Sequence, residues 1–474
     1  MSRWFGIQLA SLTVLLAGCA SPPVYEGPLT AILGVTVVHP DRHAKQAAAA
    51  GSNVIIARDR IYAVGPAETT PVPPGAKVID GRGRWLIPGL IDSHVHFFQS
   101  GNLYTRPDVA DFNAWMPYAR EVARNRARLD STFKVWLASG VTGVVDIGGP
   151  YWNFEVRRRA AMLEAAPHVA TAGPLISFVD RPKLDLGDPP IIRVTSADQA
   201  RALVERELPY KPDYIKVWFI HTKGDDLEAQ ETVVRATAEA VHKAGVRLAV
   251  HATELAVAKA ALRAGADFLV HSVEDQPVDD EFLALARNNR ALYCPTLFVY
   301  QGYGYALSNT WRPTPEEVRL ADPQIREMMS DLDKIPAQLV PERVKARIEK
   351  RDRVQTPLVA MQNLRRVRDA GITVVLGTDA GNIGTLHGPS VFREAGLMQQ
   401  AGLTPLEILR AATTGGATAM GLEHQIGTIA PGKLADLVIL GADPLADSSN
   451  LSAVQLVIRA GRAFSPDELV RSLK

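Results

Sequence analysis

At 474 residues, 47% apolar and 22% charged, the chain has the make-up of an ordinary globular protein and is long enough for a large core. A formal net charge of +1 gives no electrostatic reason to expect nucleic acid or a strongly acidic partner. Neither a Walker loop nor a dinucleotide fingerprint occurs, so nucleotide chemistry has no support.

Residues 1–18 read as a processed leader. Arg3 lies in a short n-region, and residues 7–16 form an apolar run too short to span a bilayer. Leu16-Ala17-Gly18-Cys19 follows directly and resembles the bacterial lipoprotein processing site, which implies lipidation of Cys19 as the mature N-terminus. Ala20 resembles the outer-membrane sorting signal of Gram-negative bacteria. The expected location is therefore the cell envelope, lipid-anchored on the outer membrane and facing the periplasm. Residues 19–28, with Ser21, Pro22, Pro23, Gly27 and Pro28, read as a flexible tether. With Cys19 so used, Cys294 has no disulfide partner within the chain and reads as a small buried core residue.

The mature chain divides into three regions. Residues 29–84 hold short β-like runs at 31–38, 53–56 and 60–65, broken by turn residues and by Pro71, Pro73 and Pro74. Residues 425–474 have the same texture, and the two ends together predict one small β-sandwich. Between them, residues 85–424 alternate short β-branched runs with longer amphipathic stretches. Eight strands are predicted, at 85–96, 141–148, 168–176, 213–219, 247–253, 267–274, 291–297 and 373–380. Helical stretches such as 231–244 and 255–264 each end at a glycine. The predicted fold class is α/β, a (β/α)8 TIM-type barrel with a small β-sandwich. An insertion at 300–353 carries Tyr303, Tyr305 and Trp311 and reads either as a lid or as a contact in a homo-oligomer.

In such a barrel the catalytic groups stand at the C-terminal ends of strands. His94 and His96 close the first strand in Asp92-Ser93-His94-Val95-His96, a spacing that points both imidazoles to one side. His251 ends the fifth strand, His271 the sixth and Asp379 the eighth. Taken singly, each has a plain reading: a satisfied core or loop histidine, a turn or cap aspartate. As a set, four of only 11 histidines plus an aspartate occupy strand ends in the order a barrel site requires.

The run Gly83-Arg84-Trp85-Leu86-Ile87-Pro88-Gly89-Leu90-Ile91-Asp92-Ser93-His94-Val95-His96 resembles the signature opening of the amidohydrolase superfamily. Residues 427–440, with Pro431-Gly432-Lys433-Leu434-Ala435-Asp436, resemble its returning C-terminal segment. The resemblance implies a distorted barrel with a small β-sandwich and a site holding two divalent metal ions, with zinc expected. His94, His96 and Asp379 would hold one ion and His251 and His271 the other. Lys216, inside the apolar run of the fourth strand, would be carboxylated by CO2 to bridge them, and a lysine turned outward or paired with a carboxylate is the alternative.

Within the superfamily the chain is most similar to the imidazolonepropionase-like and Xaa-Pro dipeptidase-like group, although His271-Ser272 departs from the His-Gly common there. The implied reaction is hydrolysis of an amide, lactam, ester or lactone by a metal-activated water, with Asp379 carrying the proton. The expected partner is a small molecule of peptide, lactam or lactone type. His387 follows the eighth strand closely enough to line the pocket as a second catalytic residue. Trp218, His221 and Tyr300 fall just past strand ends as candidate substrate contacts. A peptidase needs a cation for the substrate carboxylate, and no single arginine stands out. A lactonase or phosphotriesterase on the same centre, and a non-catalytic binding lipoprotein, are the competing readings.

Overall fold

The computed structural model describes residues 27–350 and 355–473. The leader, Cys19 and most of the tether lie outside the described residues, as do residues 351–354. Among the described residues no helix is long and apolar enough to cross a membrane.

Both chain ends share one eight-stranded sheet. Leu29–Val38 and Ala48–Ala57 pair antiparallel, and Arg60–Pro66 returns on the latter through the two-residue turn Arg58-Asp59, with Arg58 at φ 55°. The sheet forks at Leu29–Val38, whose first half pairs with Lys77–Asp80 and second half with Trp85–Pro88. Leu437–Leu440 adds antiparallel to Trp85–Pro88, followed by Val454–Arg459 and Arg462–Phe464. Ile32, Val54, Leu86, Leu437 and Ile458 meet in one apolar cluster, which ties the ends together. The sandwich expected from the sequence is represented by this single forked sheet.

The inner strands are β1 (Leu90–Val95), β2 (Val141–Asp146), β3 (His168–Thr171), β4 (Tyr214–Trp218), β5 (Arg247–His251), β6 (Phe268–Val270) and β7 (Leu292–Cys294). Neighbours pair in parallel, β1 to β3 in one sheet and β4 to β7 in another that also holds Leu175–Ser177 and Ile191–Arg193. Single bridges link the two: Ala172 to Tyr214, Tyr293 to Val374, and Val95 to Ala380. This is an α/β fold of TIM-barrel type. Every residue of β1 and β2 is buried, which is why these strands read as continuous apolar runs rather than alternating ones.

Three strand boundaries differ from the sequence reading. Trp85–Pro88 belongs to the terminal sheet, and the crossing to β1 is made at Gly89, where a side chain would collide with Thr142. The seventh run ends at Cys294, because Pro295 has no N–H to continue the ladder, and Leu297 already begins a helix. Residues 373–380 make only isolated bridges, since Asp379 turns to φ 59°.

Helices Leu227–Lys243 and Leu255–Arg263 stand where the periodicity places them, the first capped by the Asp226 carboxylate and both closed by glycines at positive φ. The described part of the insertion, residues 300–350, builds its own apolar cluster over the loops that follow β1 and Asp379, joining Trp311, Met329 and Leu332 to Leu103, Tyr104 and Ile383. Helix Leu297–Leu307 crosses the second of these loops backbone to backbone. A Cβ on Gly384, at φ 87°, would run into the carbonyl of Gly302. Gly384→Ala should therefore cost roughly 3 kcal/mol or more. Gly432→Ala, at φ 85° with open space around it, should cost only about 1 kcal/mol. Urea midpoints at constant slope measure both, and equal losses would show that the crossing is not a constraint.

Candidate metal centre

The ends of β1, β5 and β6 and the turn at Asp379 bring four imidazoles and a carboxylate together. His94 Nε2 lies 3.4 Å from His96 Nε2, and Asp379 Oδ1 lies 3.3 and 3.2 Å from these two nitrogens. Ligand atoms of His94, His271 and Asp379 all fall within 4.8 Å of one another. The His251 ring stands edge-on to His271 with centroids 4.4 Å apart.

Hydrogen bonds behind the rings decide which nitrogen faces inward. His96 donates from Nδ1 to the Gly148 carbonyl at 2.7 Å, which leaves its Nε2 lone pair free to bind a cation, and His271 Nδ1 is hydrogen-bonded to the Thr296 hydroxyl at 2.7 Å, which fixes the orientation of that ring. Asp92 ties β1 to the Asp379 turn: its Oδ1 accepts the N–H of His94 (3.2 Å) and of Thr378 (3.0 Å), and its Oδ2 accepts the Thr378 hydroxyl at 2.5 Å. His271, Thr296 and Asp379 all stand at positive φ, 75°, 43° and 59°, in the left-handed region that non-glycine residues seldom enter. Asp379 is held there by its own N–H on the His94 carbonyl at 2.7 Å. Thr296 is held from the next turn, where the buried Glu394 carboxyl accepts the N–H groups of Leu297 and Phe298, each at 2.8 Å.

Burial sets the protonation states. It lowers His94 to about 4 and holds His251 and His271 well below the ordinary histidine value, so all three are neutral, as metal ligands must be. Burial pushes the Asp379 carboxyl up, and a proton on His94 or His96 beside it outweighs this and holds it well below the usual carboxylate range. Lys216, fourth-strand and 1% exposed, is lowered to about 7 by burial, with the Asp379 charge opposing.

The donor set fits a cation. His94 Nδ1, Lys216 Nζ and Asp379 Oδ1 are buried without a hydrogen-bond partner. Both imidazole nitrogens near Asp379 Oδ1 are close without being aligned to donate to it. Buried polar atoms left this way are costly unless something binds them.

A cavity of about 290 Å³ opens on this cluster. It is lined by all six residues of the expected ligand set, His94, His96, Lys216, His251, His271 and Asp379, and also by Trp218 and Tyr300. Two sequence candidates are not brought to it. His387 lies behind the cavity, packed against Phe97 and Trp136 and donating from Nε2 to the His96 carbonyl at 3.2 Å. His221 is bonded to Gln230 at 2.7 Å and does not line the cavity. The residues the sequence reading missed are Arg106, Glu274, Tyr303 and Asn382. Glu274 was visible in His271-Ser272-Val273-Glu274, three residues past a ligand, and burial raises it to about 7. Arg106 and Asn382 sit on loops with no periodic signal, and Tyr303 lies on helix Leu297–Leu307.

Thr296→Val removes the hydroxyl bonded to His271 Nδ1 and should weaken metal binding by about 10- to 100-fold in chelator competition. Unchanged affinity would show that the bond does not position the ligand. His387 is lowered to about 4 by burial. Between that value and its unfolded pKa the unfolded chain binds the extra proton, so stability falls as pH drops from about 6.5 towards 4. In His387→Phe this acid loss should be smaller by roughly 3 kcal/mol in metal-free unfolding curves.

The amidohydrolase family model matches residues 85–464. An imidazolonepropionase from Symbiobacterium thermophilum is 25% identical over 469 residues, covering 90% of this chain and 93% of that protein. Among solved structures, a Xaa-Pro dipeptidase with methionine in its active site superposes with a TM-score of 0.68 at 21% identity, over 92% of this chain and all of that one. Ochratoxinase from A. niger gives 0.69 at 20% identity, over 93% and 96%. The solved structures share the fold, and the family match, which runs from the strand before His94 to the last terminal strand, shows that this chain belongs to the amidohydrolase family.

Proposed function

We propose that this protein is a metal-dependent hydrolase of a carbon–nitrogen amide bond in a small molecule, a dipeptide or a cyclic amide. The observation that carries the reading is the set of partnerless donor atoms facing one small cavity at the strand ends. His94, His96 and Asp379 would hold one divalent cation, zinc in our reading. His251 and His271 would hold a second, with Lys216 joining the two as a carbamate. The partnerless Lys216 Nζ supports this, because a neutral amine is the form that adds CO2.

Bound there, the cations make a water easier to ionise and draw electron density from the scissile carbonyl. Asp379 would give one carboxylate oxygen to the cation and use the other to accept the proton of the attacking water and pass it to the departing nitrogen. Glu274 keeps a proton near neutral pH and can donate it in a hydrogen bond to an acceptor on the substrate. Water and amide become acid and amine, with no bond formed to the protein. The segment at 300–353 serves as the roof of the cavity, a role supported by Tyr300 and Tyr303 in its lining. We read the leader pattern and Cys19 as supporting a lipid anchor in the cell envelope, on the outer membrane facing the periplasm.

Lys216→Ala should lower turnover by about a thousandfold, and millimolar short carboxylic acids should restore part of it by supplying the lost bridge. An active mutant would rule out the bridge. Zinc and bicarbonate reconstitution should give two metals per chain by elemental analysis, and fewer than one would favour a binding protein. On matched amide, lactone and phosphotriester panels, a clear preference for either of the last two would sink the amide reading. Metabolic labelling with palmitate should disappear in Cys19→Ser.

A further inference from the structure

The cavity lining holds two carboxyls, Asp379 among the metal ligands and Glu274 apart from them. Among the described residues no hydrogen bond or ion pair reaches the Glu274 carboxyl, and burial alone moves its pKa. Other acids around the cavity are engaged. Asp92 accepts from Thr378, Asp108 pairs with Arg106, and Glu394 accepts the N–H groups of Leu297 and Phe298. A half-buried carboxyl without a partner, in a wall that a ligand must touch, is a receptor for a group the ligand brings.

The backbone under Glu274 is fixed before any ligand arrives, so little ordering is lost on binding. Its N–H donates to the Thr253 carbonyl at 2.8 Å. On either side, Asn363 Nδ2 donates to the carbonyls of Val273 and Gln276 at 2.9 and 2.8 Å, and Asp275 accepts the Leu255 N–H at 2.8 Å. Because β5, β6 and β7 are neighbours, Glu274 belongs to the stretch of lining between Thr253, after β5, and Val299 and Tyr300, after β7. This is the wall of His251 and His271.

We infer that Glu274 receives the ammonium group of an aminoacyl substrate, so that the amide cleaved is one whose acyl half carries a free amine. An ammonium next to the scissile carbonyl stands close to the cations that the ligand set would hold, and the repulsion disfavours it. A carboxylate on the same wall offsets that repulsion and orients the group. In the empty cavity Glu274 keeps its proton near neutral pH. As the ammonium arrives the carboxyl gives this proton to solvent, and a neutral ion pair replaces a neutral acid. A substrate carbonyl in the same place would accept the proton in a hydrogen bond instead, with a smaller gain because neither partner is charged. The inference rests on the hydrolase reading for the position of the bond and on Glu274 alone for the amine.

The test is calorimetric binding of three hydroxamates to the zinc- and bicarbonate-loaded protein: L-leucine hydroxamate, its des-amino analogue 4-methylpentanohydroxamate, and N-acetyl-L-leucine hydroxamate. All three chelate metal through the same group, so they differ in what they offer Glu274: an ammonium, nothing, or a carbonyl. The ammonium form should bind at least about tenfold more tightly than either of the others. In Glu274→Gln, which keeps the shape, that ratio should fall to about twofold or less, and Glu274→Asp should keep part of it. A ratio taken within one protein is independent of how much of a variant folds or loads metal. Equal binding of the first two, tighter binding of the N-acetyl form, or a preference that survives Glu274→Gln overturns the ammonium site and leaves the metal-dependent reading standing. Failure of all three to bind overturns both. A preference that depends on Glu274, with no hydrolysis of L-leucyl-L-leucine or L-leucinamide, keeps the site and sinks the hydrolase reading.

Discussion

The chemistry of this molecule turns on burying polar groups that have no protein partner. Four imidazoles, a carboxylate and a lysine amine converge on the ends of strands whose flanks are almost fully covered. Each would be costly in that setting alone, and burial answers by making the charged forms of His94, His251, His271 and Lys216 less favourable. Neutral ligands around one ionised carboxylate are a cation site in waiting. The same constraint shapes the surroundings: Asp92 spends its oxygens on Thr378 and the His94 N–H, and Glu394 spends its own on the turn after Thr296.

The strained backbone follows from the same demand. A strand alone aims its side chains perpendicular to the sheet, and three imidazoles and a carboxylate from different strands would not meet. Left-handed turns at His271, Thr296 and Asp379 bend the chain at the point where the ligand must turn inward. The bonds that stabilise those turns come from neighbouring elements, so ligand geometry and barrel closure depend on each other.

Much of this was legible in the sequence. His94, Lys216 and His251 sit on regular strands, where a periodic pattern tells which way a side chain points, and His96 and His271 follow directly on the last residues of β1 and β6. His387 shows the limit of that reasoning. Proximity in sequence to Asp379 suggested the pocket, but the positive-φ glycines at 381, 384 and 388 turn the loop so that its ring packs on Phe97 instead. Arg106 was illegible for a related reason. Its position is set by Asp108 on its own loop, by Asn382 on the loop after Asp379 and by Tyr303 on helix Leu297–Leu307, and no local pattern announces such a meeting. The sequence also spread the first strand over residues 85–96, because buried strands of two different sheets share one apolar texture and only Gly89 marks the passage.

The glycine crossing between helix Leu297–Leu307 and the loop after Asp379 has a kinetic side. A helix whose backbone rests directly on another backbone cannot swing away without breaking that seat and the Tyr303–Asn382 bond beside it. The cavity wall that carries Tyr300 and Tyr303 is then fixed, and its opening stands rather than swinging like a door once per turnover. Entry becomes a matter of diffusion and of the width of that opening, and product escape follows the affinity of the product for the walls instead of the timescale of a loop movement.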